Sequence, residues 1–398
     1  MKYLYYLLST LLLFSACKDV ELGPITQDDG VAPAIISDVV VKTVPGGAVI
    51  TYQLPSDPDL LYVEANYVLP NGEQKQITAS YNSRSISVEG FAEVKEYEVS
   101  LTSVDRSGNR SAPYTVKFTP DTPPIISILN TLTMQADFGG VRFEWDNPTK
   151  ADLAILIYKK DSIGDNVIID TQYTSASQGS YTLRGQDTIT ADYTVRLRDK
   201  WSNYSEMKSK TLTPIYEVKL DRSMFRSLGA EFMDRVGSPS DISRLWDNNF
   251  ADNAITDAKT IAPWYASFSI GDTPVRLSRV VIWQYAWANI LNYGHYYAGS
   301  NMRRCELWGS NSPTIDMSGW IRLIDCEIIK PSGLPIKVGR DNMSNEDFEL
   351  AHDRGHEFMI PLDAPAVRYI RLVSLEGFES SMLATPAELH FYGDPRVK

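Results

Sequence analysis

The sequence predicts an all-β protein built from three successive β-sandwiches. Short runs rich in Val, Ile, Thr and Tyr alternate with Gly, Pro, Asn and Asp, which is typical of strands joined by turns. Aromatic residues make up 11% of the chain, including 22 Tyr and 8 Trp, and these residue types favour β-structure. The length of 398 residues suits two or three domains of ordinary size, about 100–200 residues each.

Composition and charge exclude several classes of protein. The net charge is −12, and a chain this acidic repels polyphosphates, so nucleic acid is not an expected partner. With only 3 Cys and 4 His, neither a cysteine-rich disulfide scaffold nor a Cys/His zinc module is expected.

Residues 1–16 predict a leader. Lys2 precedes an apolar run from Leu4 to Phe14 that is too short to span a bilayer, which is typical of a signal peptide. The small residues before Cys17 resemble a lipobox, and this resemblance implies that Cys17 is lipidated, as in bacterial lipoproteins. The alternative is an ordinary secretory signal followed by a chance cysteine.

Residues 17–32 predict a polar tether. Its segment Lys18-Asp19-Val20-Glu21 resembles the acidic export tag of Bacteroidetes-type lipoproteins. That resemblance implies a lipid-anchored protein on the outer face of the outer membrane. The alternative is a solvated linker without an export role.

Residues 33–119 and 120–214 predict two similar sandwiches, because the second repeats motifs of the first at offsets of 93 and 94 residues. Gly46-Gly47 before one strand matches Gly139-Gly140 before another, and a turn that starts at Asp105 matches one that starts at Asp199. A repeat of this period indicates a duplicated domain. Both copies resemble fibronectin type III or immunoglobulin-like modules, which implies a spacer role. Trp145 and Trp201 are expected to fill a core or cap a turn.

Residues 215–398 differ in composition, since they hold six of the eight Trp and all four His. Arg244 to Asn249, Cys305 to Asn311, Val367 to Val373 and Ala387 to Gly393 are four motifs of this region, in that order. Together with the segment around Trp264, they resemble the discoidin (coagulation factor V/VIII type C, galactose-binding-like) domain. The resemblance implies a jelly-roll β-sandwich with ligand loops at one end, as in carbohydrate-binding, lipid-binding and adhesion modules.

One aromatic loop has the composition of a sugar site. A pyranose offers apolar C–H faces and a rim of hydroxyls, so its binder needs an exposed ring beside planar polar groups. The expected carbohydrate contacts are Trp287, Asn289, Asn292, His295, Tyr296, Tyr297 and Arg303. The alternative is that half of the rings pack under the loop, as we expect for Tyr285.

A structural calcium ion is a second expectation for this domain, and it follows from the resemblance. Discoidin-like sugar-binding modules often hold Ca²⁺ between the loop after the first motif and the closing Glu. The matching positions are Asp247, Asn249, Asp252 and Glu388, whose oxygens suit this ion. The alternative is that Asp247 caps a turn and Glu388 pairs with an Arg.

Cys305 and Cys326 are expected on paired strands of one hairpin. In an oxidising compartment they would form a disulfide, and otherwise they are buried thiols. The sequence shows neither a Gly-x-Ser-x-Gly elbow nor a His-Glu-x-x-His motif, and we expect no enzyme.

The sequence therefore predicts a non-catalytic, cell-surface glycan-binding lipoprotein. Its expected partners are an oligo- or polysaccharide, the outer membrane through the lipid anchor, and an outer-membrane glycan importer complex. The alternatives are a surface adhesin or structural protein that binds a protein partner, and a glycoside hydrolase or its subunit.

Overall fold

The computed structural model describes residues 30–234, 236, 241–251, 262–285, 296–379 and 384–396. Antiparallel strands dominate, and the all-β prediction is confirmed. The chain divides into two compact units. The first unit contains Met1–Thr133, Glu144–Ser180 and Asp192–Lys210. The second unit contains Met134–Phe143, Tyr181–Ala191 and Thr211–Lys398. Within the described ranges, no helix is both long and apolar enough to cross a membrane. The predicted leader and Cys17 lie outside these ranges.

Seven strands form the first sandwich: β1 Ser37–Val44, β2 Gly47–Gln53, β3 Leu60–Val68, β4 Gln74–Ser80, β5 Ser85–Glu89, β6 Tyr97–Asp105 and β7 Tyr114–Phe118. They make sheets of order β1-β2-β5 and β4-β3-β6-β7. Alternate residues of β6 point into the core, where Val99 and Leu101 are fully buried and Tyr97 packs beside them.

The next region begins with helix α1, Pro124–Thr131. Pro124 occupies the first turn, where a missing N–H costs nothing, and Ile125 and Ile128 are buried. The strands that follow are β8 Thr133–Asp137, β9 Gly140–Asp146, β10 Leu153–Lys160, β11 Asn166–Thr174, β12 Gln178–Leu183, β13 Ala191–Asp199 and β14 Lys208–Leu212. Their sheets have the orders β11-β10-β13-β14 and β12-β9-β8.

The repeated glycine pairs have the same backbone role. Gly46 and Gly139 both have φ of +67°, in the left-handed region that favours glycine. A Cβ on Gly47 would collide with the carbonyl of Val88, and one on Gly140 would collide with that of Leu183. Each strand therefore needs both glycines where it starts.

The repeated Asp turns are also alike in their hydrogen bonds. Asp105 accepts the backbone N–H of Asn109 at 2.8 Å and its side-chain amide at 2.9 Å. Asp199 accepts the same two groups of Asn203, both at 2.9 Å. The two sequence motifs are thus alike because both form the same turn, whose hydrogen bonds lie within the motif itself.

Trp201, in the second of these turns, contacts the first sandwich. Its ring lies over Gly90, and its backbone carbonyl accepts a hydrogen bond of 3.2 Å from the Asn71 amide. Asn203 donates to the carbonyl of Gly90 at 2.9 Å. The expectation that Trp201 fills a core or caps a turn is therefore confirmed, and the core that its ring joins is that of the preceding sandwich.

The C-terminal sandwich contains β15 Val218–Lys219, β16 Arg226–Ser227, β17 Met233–Asp234, β18 Trp264–Ser269, β19 Arg276–Trp283, β20 Met302–Ser310, β21 Ile321–Glu327, β22 His356–Met359, β23 Tyr369–Gly377 and β24 Glu388–Asp394. Helix α2, Asn345–Phe348, leads into a π-helical turn, Glu349–Arg354. One sheet has the order β15-β24-β19-β22. The other has the order β16-β18-β23-β20-β21, and β17 also pairs with β18. One hydrophobic core joins the sheets.

Arg371 is a fully buried cation in this sandwich. Its guanidinium lies 4.5 Å from the centre of the Tyr265 ring and 4.3 Å from that of Trp320. It donates to the carbonyls of Thr314 and Asp316 at 3.1 and 3.0 Å. The second Arg of the Val367–Val373 motif therefore fixes a loop from inside, where cation–π contacts and hydrogen bonds offset the cost of its burial.

Candidate functional site

The paired strands bring several chain segments to one end of the C-terminal sandwich. Trp283, the last residue of β19, pairs with Glu388, the first of β24. Met302 pairs with Gly377, and the backbone N–H of Tyr285 and the side chain of Asn301 form a 2.6 Å hydrogen bond that joins the two sheets at this end. This end of the sandwich therefore brings together side chains from β19, β20, β23 and β24 and the segments next to them.

Glu388 is the centre of a polar cluster at this end. Its side chain is 0% exposed and forms an ion pair with Arg222, whose side chain is 23% exposed. The other carboxylate oxygen accepts the backbone N–H of Asn248 at 3.0 Å. His390 Nε2 lies 3.2 Å from the paired oxygen. The buried charge of Glu388 is thus compensated by a cation and further polar contacts, as burial requires.

Burial lowers the pKa of His390, which favours the neutral form of its imidazole. The Glu388 carboxylate opposes that shift, and the charge of Lys219 adds to it. A neutral imidazole offers one donor and one acceptor, which suits a partner with hydroxyl groups.

Three rings pack beside this cluster. The centres of Trp283 and His390 are 4.4 Å apart, and Phe250 lies 5.4 Å from Trp283 and 6.3 Å from His390. Trp283 is buried against Gly355, whereas Phe250 is half-buried. Phe250 is therefore the ring of this group that presents apolar surface to solvent.

Polar side chains precede Phe250 in the chain or contact its neighbour His390, which lies 3.4 Å from Lys219 Nζ and 3.3 Å from an Arg222 nitrogen. Lys219, Asn248 and Asn249 are exposed, and Arg222 reaches the Asn248 amide oxygen at 3.4 Å. We name Lys219, Arg222, Asn248, Asn249, Phe250 and His390 the end cluster. It combines an accessible aromatic ring with planar donors and acceptors, the combination expected of a sugar contact.

The predicted calcium ligands are arranged differently from a metal site. Asp247 accepts the backbone N–H of Asn249 at 2.8 Å, which makes it a turn cap. Glu388 already holds the Arg222 guanidinium, so a cation there would meet like charge. The described part of the chain contains no cluster of three metal-binding side chains, and Asp252 lies outside it. The described donors, Asp247, Asn249 and Glu388, do not fit calcium, and the alternative pairing of Glu388 with an Arg is what the structure contains.

The chain around the predicted aromatic loop is held by Gln284. Its amide oxygen accepts the backbone N–H of Tyr297 at 2.6 Å, and its amide nitrogen lies 3.0 Å from His356 Nε2. Because Asn301 also donates to the carbonyl of Tyr285 at 3.0 Å, the residues on either side of segment 286–295 are tied together.

Tyr296 and Tyr297 require a correction as sugar contacts. They are 3% and 0% exposed and belong to the hydrophobic core. The Tyr297 hydroxyl donates to the carbonyl of Asp347 at 3.0 Å, and Tyr296 packs near Phe348 and His352. These partners belong to the segment between β21 and β22, which packs on both rings, so neither ring offers a face to a ligand.

Arg303, another predicted sugar contact, lies within the described residues. Its guanidinium already pairs with two carboxylates, at 3.0 Å from Glu327 and 3.7 Å from Glu376. The remaining predicted contacts, Trp287, Asn289, Asn292 and His295, lie outside the described residues and stay predictions.

Cys305 and Cys326 stand directly opposite each other in the β20–β21 ladder, so the predicted hairpin is confirmed. Both are buried thiols in this structure. The hydrogen bond between them, together with burial, raises the pKa of Cys305 well above its usual value. The disulfide stays a prediction.

Arg222, Phe250 and His390 were not among the sequence-predicted contacts. One signal was available for His390, because strand alternation places it on the same face of β24 as Glu388. No local pattern marks Arg222, which reaches Glu388 from 166 residues away.

Three family models match the chain. They describe domains of unknown function: DUF4959 over residues 33–120, DUF5126 over 121–223 and DUF5000 over 246–393. No curated protein sequence matches the chain.

Solved structures provide the other comparisons. SusE-like protein BT2857 is 30% identical, over 69% of this chain and 100% of that chain, with a TM-score of 0.41. The two fibronectin type III domain segment of chicken tenascin is 18% identical, over 45% and 98%, with a TM-score of 0.22. The spore cortex lytic enzyme SleM of Clostridium perfringens is 14% identical, over 24% and 31%, with a TM-score of 0.21. At these TM-scores the superpositions carry no argument, and the relationship to BT2857 rests on sequence identity over that whole chain.

Proposed function

The chain belongs to the SusE-like family, and from this premise we propose that it is a non-catalytic glycan-binding lipoprotein of the cell surface. Its role would be that of an accessory to a polysaccharide uptake system. Family membership and the all-β fold support this proposal, as does the resemblance of residues 1–21 to an exported, lipidated leader.

The observation that carries glycan binding is the end cluster. Phe250 supplies a half-exposed ring against which the C–H face of a pyranose can stack. Arg222 and Asn248 are already oriented by Glu388, so little side-chain freedom is lost when they meet sugar hydroxyls. The likeness of this domain's motifs to discoidin modules agrees with a ligand site at the end of a sandwich.

The same arrangement favours binding over catalysis. Glu388 has no access to solvent, and its carboxylate is held by the Arg222 guanidinium. It is therefore unsuited to protonate a glycosidic oxygen, the task of a glycosidase's acid. Its function in the end cluster is to position the donors around it.

Affinity measurements on the mature chain test the proposal, with a panel of soluble polysaccharides as probes. Phe250→Ala should weaken binding by about thirtyfold, as expected for a lost stacking ring worth about 2 kcal/mol. Tyr81→Ala is the matched control, because this ring is 46% exposed on the first sandwich. Failure to bind any polysaccharide would reject the function, and unchanged affinity of a folded Phe250→Ala protein would reject the site.

The anchor is tested separately in cells. Cys17→Ala should leave a precursor that is neither lipidated nor retained in the outer membrane, because acylation needs that thiol. Membrane fractionation measures this outcome. A variant still retained like the wild type would contradict the lipoprotein assignment without affecting glycan binding.

A further inference from the structure

A row of polar and aromatic side chains crosses the outer face of the sheet β11-β10-β13-β14. The register pairs Tyr173 with Ala154, Ala154 with Arg198, and Arg198 with Tyr204. Directly opposed residues of antiparallel strands point to the same face, so these four side chains stand side by side. The adjacent core positions, Ile155 and Leu197, point inward and are buried.

Within this row Ala154 has the smallest side chain, and an exposed tyrosine stands at each end. Ala154 contributes a single methyl group, while Tyr173 is 74% exposed and Tyr204 is 44% exposed. A groove of about 400 Å³ results, and it is lined by residues 152–154, 173–175 and 198–200. A groove with an exposed ring at its edge suits a chain of sugar residues.

The charge of this face differs from that of the protein, which is −12 overall. Arg196 lies 4.7 Å from the centre of the Tyr204 ring, and the side chains of Tyr204 and Tyr173 raise the pKa of Arg198, which keeps its positive charge. Neither arginine has a carboxylate partner among the residues that the structure describes. Two acidic and two basic residues line the groove itself, Asp152, Asp199, Arg198 and Lys200. The Asp199 carboxylate is committed to its own turn, so Asp152 is the acidic group that the positive charges of Arg196, Arg198 and Lys200 outnumber on this face.

We propose that this groove is a second glycan subsite and that it takes an acidic sugar, a uronate whose carboxylate pairs with Arg198 and whose ring stacks on Tyr173. The proposal rests on the glycan-binding function above and adds a substrate class to it. An arginine fork matches a carboxylate in geometry and charge, whereas neutral sugars gain only ordinary hydrogen bonds there. Arg196 adds a second positive charge on the same face.

Calorimetric titration of the mature chain tests the subsite, with oligogalacturonate as the acidic probe and galacto-oligosaccharide of the same length as the neutral one. The wild type should bind the acidic probe at least tenfold more tightly, and added salt should reduce this preference. Arg198→Gln and Tyr173→Ala should each weaken acidic binding by about tenfold or more. Arg84→Gln and Tyr81→Ala, at exposed positions of the first sandwich, are the matched controls.

The outcomes separate this inference from the proposed function. Acidic binding that is unaffected by Arg198→Gln and Tyr173→Ala overturns the subsite, and so does absence of acidic binding. If Phe250→Ala still weakens neutral binding in that case, the proposed function stands. Loss of acidic binding in the groove variants but not in Phe250→Ala supports two separate sites. A far-ultraviolet circular dichroism spectrum like that of the wild type confirms that each variant is folded.

Discussion

Removal of Arg222 should destabilise the C-terminal sandwich far more than removal of an ordinary surface arginine. Glu388 is 0% exposed, and Arg222 is its cationic partner. In Arg222→Met the carboxylate keeps the Asn248 N–H and the His390 contact, but it loses its counter-charge. An uncompensated buried charge costs about 3–5 kcal/mol. Arg303→Met, which breaks two partly exposed ion pairs, should cost no more than about 1 kcal/mol.

A second substitution identifies the cause of that loss. Glu388→Gln removes the buried charge, so the double variant Arg222→Met/Glu388→Gln should be more stable than Arg222→Met alone. Urea denaturation of the full chain, followed by tryptophan fluorescence, is a suitable assay. Residues 215–398 contain six of the eight Trp, so the signal reports mainly on this sandwich.

Two results would refute the reasoning. Equal destabilisation by Arg222→Met and Arg303→Met would mean that Glu388 is neutral or otherwise compensated. A fall in the wild-type midpoint on addition of EDTA would mean that a bound metal ion contributes to stability, since a ligand of the folded state stabilises it. We expect EDTA to have no effect, because Arg222 already occupies the carboxylate.

Three further predictions concern other sites. Burial lowers the pKa of His356 to about 4, so the folded state resists a proton that the unfolded chain takes up below pH 6.5. Stability should fall between pH 6.5 and 4, by at most about 3 kcal/mol, and His356→Gln should flatten the urea midpoints over that range. Trp201→Ala should cost the first sandwich about 2 kcal/mol, seen as faster hydrogen exchange at Gly90, and unchanged exchange would contradict the contact. If Cys305 and Cys326 are bonded after export, the non-reduced chain should be lighter by two hydrogens, and reduction should cost about 3 kcal/mol.

The duplicated sandwiches show which features a sequence reveals. The Asp turn forms its hydrogen bonds within five residues. The first glycine of each pair is required by its left-handed backbone conformation. Both are local, so their repetition along the chain was visible without a structure. The contact of Trp201 with Gly90 was not, because it depends on how the second turn meets the first sandwich.

The aromatic loop shows the opposite case. Composition marked its rings as exposed, yet Tyr296 and Tyr297 are covered by residues some fifty positions later in the chain. Burial of a ring depends on partners that a window of sequence does not contain. The same reason hid Arg222, since an arginine far from Glu388 in sequence replaced the expected calcium ion as its counter-charge.

Substitutions in the C-terminal sandwich differ in whether they affect stability or ligand contact. Gln284 links Tyr297 and His356, so substitution of any of the three acts first on stability, and a loss of binding there says little about contact. Phe250 has one half-exposed face and no hydrogen-bonding group, so its removal can affect a ligand without breaking that network. Affinity lost at Phe250 with an unchanged urea midpoint is therefore evidence of contact, whereas the same loss at Tyr297 is not.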